Sequence, residues 1–488
     1  MKTLKIALIA LGLGMYFFAF QGARPLWEPD EGRYSVVAMM MLRSGNWIEP
    51  HVDHEVPLWS KPPLTYWAIA ASVGTFGRHE LAVRLPGALA FLLTTGLLWV
   101  LGGVFVPEKR WLPAVVYASF LTPFVASNVV TSDGLLTLWE TAAVCAFAWA
   151  VWGREQAAGW RMLLMWLAFG LAFLTKGPPG LLPLIAIAAF VHWPGSAVPR
   201  PRLRWLAGLG VLLAVNLPWY GLVVARNPGL GGYLLVDEVW KRVMTGAHHR
   251  NSQWYGAVKA FGPVFLLGTL PWGLPLARGV AGALRHLRTA GAGLEARWQR
   301  VRAQDLFLLL WIAGPLLVFS LARSRLPLYV LPLFAPMALL AARGLARRTR
   351  RWRRWWLAVV AWCLLLMAAR FGVAHFVVNP KDNAARVARA IRALDPPPST
   401  EIAFYATTPM LGLDFYLGLE VERVGEEMLA EELAEAEQRL WMVRSERTEE
   451  LISACKALGR TVTPLGDVGG RYRLLFERAP GPVSSPSS

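Results

Sequence analysis

Long apolar runs recur along most of this 488-residue sequence, and they constrain its fold more than any other feature. A helix needs about 20 consecutive apolar residues to cross the hydrocarbon core of a bilayer. With the usual window of roughly 17–25 residues we predict about eleven spans, or about thirteen if short re-entrant pieces are counted. The spans lie near 4–21, 81–106, 111–127, 133–152, 161–175, 178–193, 205–225, 257–278, 304–322, 326–343 and 355–378. The predicted fold class is therefore a polytopic α-helical membrane protein.

The distribution of charge predicts how these spans are oriented. The net charge is +18, and much of the excess falls in alternate loops, above all 278–302 and 343–354. Arginine-rich loops favour the cytoplasmic side, so we predict a cytoplasmic N-terminus with 22–80, 226–256, 323–326 and the tail after about 378 outside. The start of the chain has the charge pattern of a signal peptide but no A-x-A cleavage site, which predicts an uncleaved first span. No aromatic-stacking or groove-reading module accompanies the arginine-rich run 347–354, so anionic lipid is favoured over nucleic acid as its partner.

Two regions have a different character from the spans. We predict one transmembrane domain over 1–379, whose first external loop, 22–80, carries interfacial helices near Glu31–Leu42 and Leu64–Phe76. From Lys381 onward acidic residues outnumber basic ones, 17 against 13. Patterning there predicts a small α/β domain over 380–478, followed by a disordered tail at 479–488. Its predicted helices are Asn383–Leu394, Glu426–Arg439 and Glu449–Leu458, and its predicted strands are Glu401–Tyr405, Leu440–Val443 and Arg471–Phe476.

Charged residues beside the first apolar run are the first candidates for chemistry. Asp30 could be a general base or electrostatic partner, or only an N-cap of the following helix. Arg33 and Lys61 are natural phosphate ligands, although Lys61 could also be a snorkelling interfacial lysine. The two prolines after Lys61 fix its backbone, which favours a binding role. Three such groups in one external segment favour function.

Further candidates lie at predicted outer ends of spans. Asp133 could again be an N-cap, and Lys176 either a helix break or a contact to a lipid phosphate. The pair His248–His249 lacks a second cluster with metal-ligand spacing, so Arg250 is the more plausible substrate contact. Arg323, Arg325 and Tyr329 lie at a short outer turn. The positive-inside rule disfavours arginine on the outer side, so these arginines favour a functional role over simple anchoring. No motif supports nucleotide-driven transport, triad hydrolysis or zinc proteolysis, and three isolated cysteines imply no disulfide framework.

Taken together, the motifs resemble one family of membrane enzymes. The chain resembles bacterial lipid-linked-sugar glycosyltransferases of the GT-C superfamily, in the branch of lipid A aminoarabinose transferases and relatives of protein O-mannosyltransferases. The resemblance rests on Asp30-Glu31-x-Arg33-Tyr34, Ser44-Gly45-Asn46-Trp47, Lys61-Pro62-Pro63-Leu64-x-Tyr66-Trp67, Ala82-Val83-Arg84-Leu85-Pro86, Thr175-Lys176-Gly177-Pro178 and Ser324-Arg325-Leu326-Pro327-x-Tyr329-x-Leu331-Pro332.

This resemblance implies a function and assigns roles. A polyprenyl-phosphate sugar would pass, with inversion, to lipid A, another glycan or lipid, or a protein on the outer face of the bacterial inner membrane. Asp30 would be the catalytic carboxylate, with Asp133 a second candidate. Donor-binding roles fall to Arg33, Lys61, Arg250, Arg325 and Tyr329, and weaker candidates are Glu31, Tyr34, Lys176, His249 and Arg323.

Two departures from the family pattern bear on cofactors. Relatives often carry Glu before Lys-Pro-Pro and Glu-His in the loop before the late spans, where this chain has Ser60 and Glu238-Val239. Both changes remove potential metal ligands, so we expect no cofactor, and the sequence gives no support to a divalent metal. A flippase for a lipid-linked sugar is the alternative function, but its ionisable residues would be expected near the bilayer midplane. A non-catalytic scaffold would leave Asp30, Arg33 and Lys61 unexplained.

Overall fold

Helices dominate the computed structural model of the chain, as the apolar runs predict. The structure describes residues 11–53, 57–153, 159–193, 202–233, 251–288, 296–346, 352–376, 383–397, 400–405, 410–435, 438–468 and 472–478. The main helices are α1 (Asp30–Ser44), α2 (Leu64–Phe76), α3 (Glu80–Phe105), α4 (Leu112–Ser119), α5 (Leu121–Ala126), α6 (Ser132–Trp152), α7 (Gly159–Lys176), α8 (Leu182–His192), α9 (Trp205–Arg226), α10 (Gly256–Gly268), α11 (Gly273–Arg288), α12 (Ala296–Leu321), α13 (Phe334–Ala346), α14 (Trp352–Phe376), α15 (Ala384–Ala393), α16 (Gly412–Leu417), α17 (Leu429–Glu435) and α18 (Thr448–Ala457).

Six helices among the described residues are long and apolar enough to cross a membrane. They are Glu80–Phe105, Ser132–Trp152, Trp205–Arg226, Gln299–Leu321, Pro327–Ala346 and Arg354–Phe376. The polytopic helical fold class is thus confirmed. The predicted span 257–278 is not one straight helix, because α10 and α11 meet at 106° across a short break that contains Pro271.

Other predicted spans are shorter than the sequence suggests. The span near 111–127 is divided at Phe120, whose extended backbone separates α4 from α5. The span near 178–193 opens with a 3-10 turn over Pro178–Leu181 before α8 begins. The first predicted span lies partly outside the described residues. Hydropathy therefore located the apolar segments correctly, while proline and local backbone geometry decide which of them form one long helix.

The chain divides into two compact units that interleave in sequence. Unit 1 comprises residues 1–21, 58–72 and 84–371, and unit 2 comprises residues 22–57, 73–83 and 372–488. The core of unit 1 is largely aromatic. Phe307 of α12 is fully buried, with the rings of Phe105, Phe147, Trp152 and Phe190 at centroid distances of 5.3 to 6.4 Å. Side chains from α3, α6 and α8 thus meet on α12 in geometries that aromatic rings favour.

Unit 2 contains a mixed five-stranded sheet. Its strands are β1 (Glu401–Tyr405), β2 (Glu422–Val424), β3 (Gln438–Arg444), β4 (Thr461–Val468) and β5 (Tyr472–Arg478), in the order β2-β1-β3-β5-β4. β1 is parallel to β2 and β3, whereas β5 is antiparallel to β3 and β4. Alternate residues of β1 and β3 face opposite sides, so α15 and α16 cover one face, and α17 and α18 the other.

Helix α1 belongs to unit 2 and packs on α16. A side chain at Gly32 would collide with the backbone of Gly412, so glycine permits this close approach. The Glu28 carboxylate accepts a 2.7 Å hydrogen bond from the Gly412 N–H. Residues 22–57 and 73–83, which the sequence analysis assigns to the membrane domain, therefore pack with the C-terminal α/β elements.

Most predicted elements of the tail agree with the structure. Helices α15 and α18 and strands β1, β3 and β5 lie where patterning predicts them. The helix predicted over Glu426–Arg439 is wrong at both ends, because α17 covers only Leu429–Glu435 and β3 begins at Gln438. Patterning missed α16, β2 and β4, since the first two are very short and β4 contains Pro464 and Gly466, which are unusual in strands.

Candidate functional site

The structure brings together three predicted residues of unit 1. Asp133 lies in the first turn of α6, Lys176 ends α7, and Tyr329 lies in the 3-10 helix Pro327–Leu333. The Lys176 ammonium forms an ion pair with the Asp133 carboxylate and lies 4.4 Å from the centroid of the Tyr329 ring. Both charged side chains are only 8% exposed. The geometry combines a buried ion pair with a cation–π contact.

The N-cap interpretation of Asp133 is wrong. The cap of α6 is Thr131, whose hydroxyl accepts a 3.3 Å hydrogen bond from the Asp133 N–H. Asp133 therefore lies near the positive end of the α6 dipole, and Lys176 lies at the negative end of the α7 dipole. An acidic side chain at the start of one helix and a basic side chain at the end of another complement the two helix dipoles.

Glu140 is a residue that the sequence analysis missed. It lies seven residues after Asp133, which places it two turns further along a similar face of α6, and it is buried. A signal was available, because an acidic residue inside an apolar span is costly and therefore rare. Asp133, Glu140 and Lys176 together give this part of α6 an unusual density of buried ionisable groups.

Arg325 is buried against backbone carbonyl groups. Its guanidinium donates hydrogen bonds of 2.8 to 2.9 Å to the carbonyl oxygens of Asn251, Gln253 and Ser320. These carbonyls carry no formal charge, so Arg325 both fixes the segment after residue 250 and leaves a positive potential around itself. The neighbouring Arg323 is exposed. Arg250 and His249 lie outside the described residues.

Lys61 lies half-buried at the start of a proline-constrained turn. Its ammonium donates a 2.8 Å hydrogen bond to the Ser60 carbonyl. The following Pro62 and Pro63 precede α2, which begins at Leu64 as predicted. The predicted constraint on the Lys61 backbone is consistent with this local structure.

In unit 2, Asp30 and Arg33 form an exposed ion pair on α1. Arg33 donates a 2.7 Å hydrogen bond to the Asp30 carboxylate, and the side chains of Asp30 and Arg33 are 64% and 34% exposed, respectively. The N-cap interpretation of Asp30 is wrong, because Pro29 occupies the cap position and Asp30 is the first helical residue. An exposed pair of this kind contributes only about 0–1 kcal/mol and exchanges partners easily.

Glu31 and Tyr34 have structural contacts on the same helix. Glu31 forms a buried two-point ion pair with Arg24, at 2.6 and 3.0 Å, and accepts a 2.8 Å hydrogen bond from the Trp27 N–H. Tyr34 is a buried residue of α1. The structure thus separates Asp30 and Arg33, which face solvent, from Glu31 and Tyr34, which stabilise α1. Within the described part of the chain, no three His, Cys, Asp or Glu side chains converge as a metal site.

Comparisons with known proteins agree with this fold. A profile of the family dolichyl-phosphate-mannose-protein mannosyltransferase matches residues 60–221. The crystal structure of ArnT from Cupriavidus metallidurans bound to undecaprenyl phosphate is similar, with a TM-score of 0.79 over 97% of this chain and 98% of that one, at 19% identity. The fold of this chain is therefore that of the ArnT structure.

Sequence relatives define the family more narrowly. The undecaprenyl phosphate-alpha-4-amino-4-deoxy-L-arabinose arabinosyl transferase of Aeromonas salmonicida is 32% identical over 407 residues, which cover 79% of this chain and 69% of that protein. The Shewanella sediminis protein of the same name is 35% identical over 66% of this chain, but the match covers only 56% of that relative. The chain belongs to this family of aminoarabinosyl transferases.

Proposed function

We propose that this protein is an inverting glycosyltransferase that moves a sugar from a polyprenyl-phosphate donor to an acceptor on the extracytoplasmic face. The main observation behind this proposal is the similarity to a relative named for an undecaprenyl-phosphate aminoarabinose donor. The match is 32% identical and covers 69% of that relative. Lipid A is the first acceptor to test. Another glycan, another lipid and a protein are the other acceptors to test. Nucleic acid is not a partner.

Asp30 is the proposed catalytic carboxylate. Among the described residues, Arg33 alone forms an ion pair with its exposed carboxylate, so a bound acceptor can replace that partner at small cost. With a hydroxyl acceptor, Asp30 takes the proton as the new glycosidic bond forms. With a phosphate acceptor, the nucleophile is already ionised and Asp30 positions it instead.

The basic candidates stabilise the departing lipid phosphate in this proposal. The leaving group is an anionic phosphate ester, so catalysis depends on charge stabilisation and alignment more than on acid assistance. Arg33, Lys61, Arg250 and Arg325 are assigned this role, with Tyr329 as a donor contact. Arg325 suits it because its described hydrogen bonds go to neutral carbonyls, which leave its charge uncompensated.

Asp133 has a different proposed role from Asp30. Its carboxylate is already compensated by Lys176, so it positions that ammonium beside Tyr329 instead of accepting a proton. Lys176 then presents a fixed positive charge, and Glu140 adds a buried carboxyl group further along α6. We also propose that transfer requires no divalent metal, since Ser60 and Val239 cannot supply the carboxylate and imidazole that relatives often have there.

The proposed location is the bacterial inner membrane. The arginine-rich loops support a cytoplasmic N-terminus by the positive-inside rule, with the C-terminal α/β elements on the extracytoplasmic side. Protease protection in sealed vesicles, with tags at the two termini, tests this orientation.

A transfer assay on the purified full-length protein tests the function. Polyprenyl-phosphate sugars, aminoarabinose among them, are offered with lipid A or with a Ser/Thr peptide, with and without a chelator. Asp30→Asn is compared with Asp467→Asn, whose aspartate also forms an exposed ion pair, with Arg473 at 2.9 Å. We expect transfer by wild type and Asp467→Asn, with or without chelator, and a loss of at least about 100-fold in Asp30→Asn. Donor binding without transfer to any acceptor would instead support the flippase function.

A further inference from the structure

Three arginines of unit 2 converge at the C-terminal end of α16. Arg43 donates a 3.3 Å hydrogen bond to the Asp414 carbonyl, and Arg392 donates one to the Tyr416 carbonyl. Gly418 ends the helix with φ of +84°, and a side chain there would overlap the Arg78 guanidinium. Segments far apart in sequence therefore place three guanidinium groups around one helix end.

These three arginines lack the partners that other arginines of unit 2 have. Arg439 pairs with three glutamates, Arg447 with Glu426, and Arg473 with Asp467. Among the described residues, no carboxylate forms an ion pair with Arg43, Arg78 or Arg392, and all three side chains are exposed. Partial burial, followed by the nearby charges of Arg392 and Arg43, lowers the pKa of Arg78 from its usual value.

The surface around them is mainly basic and apolar, with acidic residues Asp395 and Glu420 following Leu394 and Leu419 in sequence. Helix α15 adds exposed Arg386 and Arg389 at three-residue spacing from Arg392, and it contains no acidic residue. Glu80, close to Arg78 in sequence, accepts a 3.1 Å hydrogen bond from the Tyr416 hydroxyl. Three large apolar side chains flank the arginines in sequence and are at least 40% exposed: Phe76, Leu394 and Leu419.

We propose that this basic-apolar patch, formed by Arg43, Arg78, Arg392, Phe76, Leu394 and Leu419, binds phosphate-bearing lipid headgroups at a membrane surface. Guanidinium groups match phosphate oxygens in charge and geometry. Exposed apolar side chains enter the interface between headgroups and acyl chains, which a small anion cannot provide. The patch goes beyond the proposed transfer reaction, since it contains none of the residues assigned to the donor or to catalysis.

Lipid binding by the purified full-length protein tests this patch. Native mass spectrometry in detergent measures retention of phosphatidylglycerol and of phosphatidylcholine, without any sugar donor, so the result is independent of transferase activity. The triple variant Arg43→Gln/Arg78→Gln/Arg392→Gln is compared with Arg444→Gln/Arg447→Gln/Arg473→Gln, which removes the same charge from another part of unit 2. We expect the patch variant to lose at least about tenfold in apparent affinity for phosphatidylglycerol, and the control to match wild type.

Two further arms separate lipid binding from misfolding and from binding of free phosphate. The variant Arg43→Lys/Arg78→Lys/Arg392→Lys keeps the three positive charges and should therefore keep phosphatidylglycerol binding. Thermal unfolding of every variant shows whether any loss of binding is due to misfolding. Phe76→Ser/Leu419→Ser should weaken lipid binding, and 10 mM inorganic phosphate should not compete with it. Unchanged phosphatidylglycerol binding in the Gln triple variant would overturn the proposal. Full competition by phosphate, with no effect of the serine changes, would replace it with a free-phosphate site.

Discussion

Two aspartate-centred ion pairs, one in each unit, illustrate how burial changes what a pair can do. Asp30–Arg33 in unit 2 is largely exposed, at 64% and 34%, whereas Asp133–Lys176 in unit 1 is 8% exposed on both sides. Water screens the first pair, so its members can exchange partners for substrate groups at little cost. The second pair is desolvated, so loss of either member leaves an uncompensated buried charge. The exposed Asp30–Arg33 pair is thus suited to exchanging partners during turnover, and the buried Asp133–Lys176 pair to holding a fixed geometry.

The largest expected effect comes from the exposed pair and concerns rate. Asp30→Asn keeps the shape of the side chain but removes the base, so we expect transfer to fall by about 10²–10⁴-fold. Its melting temperature should remain close to that of wild type, because the pair is exposed. Turnover and thermal unfolding are measured on the same preparation. Wild-type turnover in this variant would exclude Asp30 as the catalytic carboxylate.

The buried pair should show the reverse pattern, with the main effect on stability. Asp133→Asn leaves the Lys176 charge buried without its partner, and should destabilise the protein by about 3–5 kcal/mol. The double variant Asp133→Asn/Lys176→Met removes both charges and should recover much of this loss. Chemical unfolding followed by tryptophan fluorescence measures the cycle. Equal destabilisation in the single and double variants would argue against coupling between the two side chains.

A third test uses Asp414, a buried carboxyl group that forms no ion pair with any residue in the described part of the chain. Burial raises its pKa from 3.8 to about 7, against the opposing charge of Arg423. The folded state therefore holds a proton that the unfolded state releases, and this contribution to stability is lost as pH rises from about 4 to about 7. Asp414→Asn should raise the melting temperature at pH 8 and change it little at pH 4. A stabilisation independent of pH would contradict the assigned titration.

The smallest effect is expected at a second exposed pair. Arg473 lies 2.9 Å from Asp467 in unit 2, and both side chains are well exposed. Arg473→Gln should leave transfer and melting temperature unchanged within error, since exposed pairs contribute little and are screened by salt. A clear loss of stability in this variant would show that exposure alone does not account for the contrast between the two aspartate pairs.

Local patterns predicted the helices well where apolar spacing and end signals agreed. Helix α2 has its predicted bounds, and α1 extends the prediction by only a residue or two at each end. The break between α10 and α11 was not predicted, because the composition stays apolar through it and hydropathy is insensitive to backbone direction. Strand β4 carries Pro464 and Gly466, so only pairing with β5 identifies it.

The sequence predicted individual residues of the candidate site but not the contacts between them. Asp133, Lys176 and Tyr329 were each singled out from their positions at span ends, yet nothing in their spacing shows that they meet. The sequence equally could not distinguish Asp30, which faces solvent, from the adjacent Glu31, which forms a buried pair with Arg24. One step along a helix rotates a side chain by about 100°, so the outcome depends on which face the tertiary structure covers.

The packing of α1 on α16 sets an order of events during synthesis. The Glu28–Gly412 contact joins residues 384 positions apart. At about 5–20 residues per second, the ribosome needs roughly 20–80 s to make the partner of α1 after α1 itself. During that interval the surface around Gly32 that α16 will cover has no native partner. A premature stop before residue 412 would therefore damage the N-terminal helix as well as the tail.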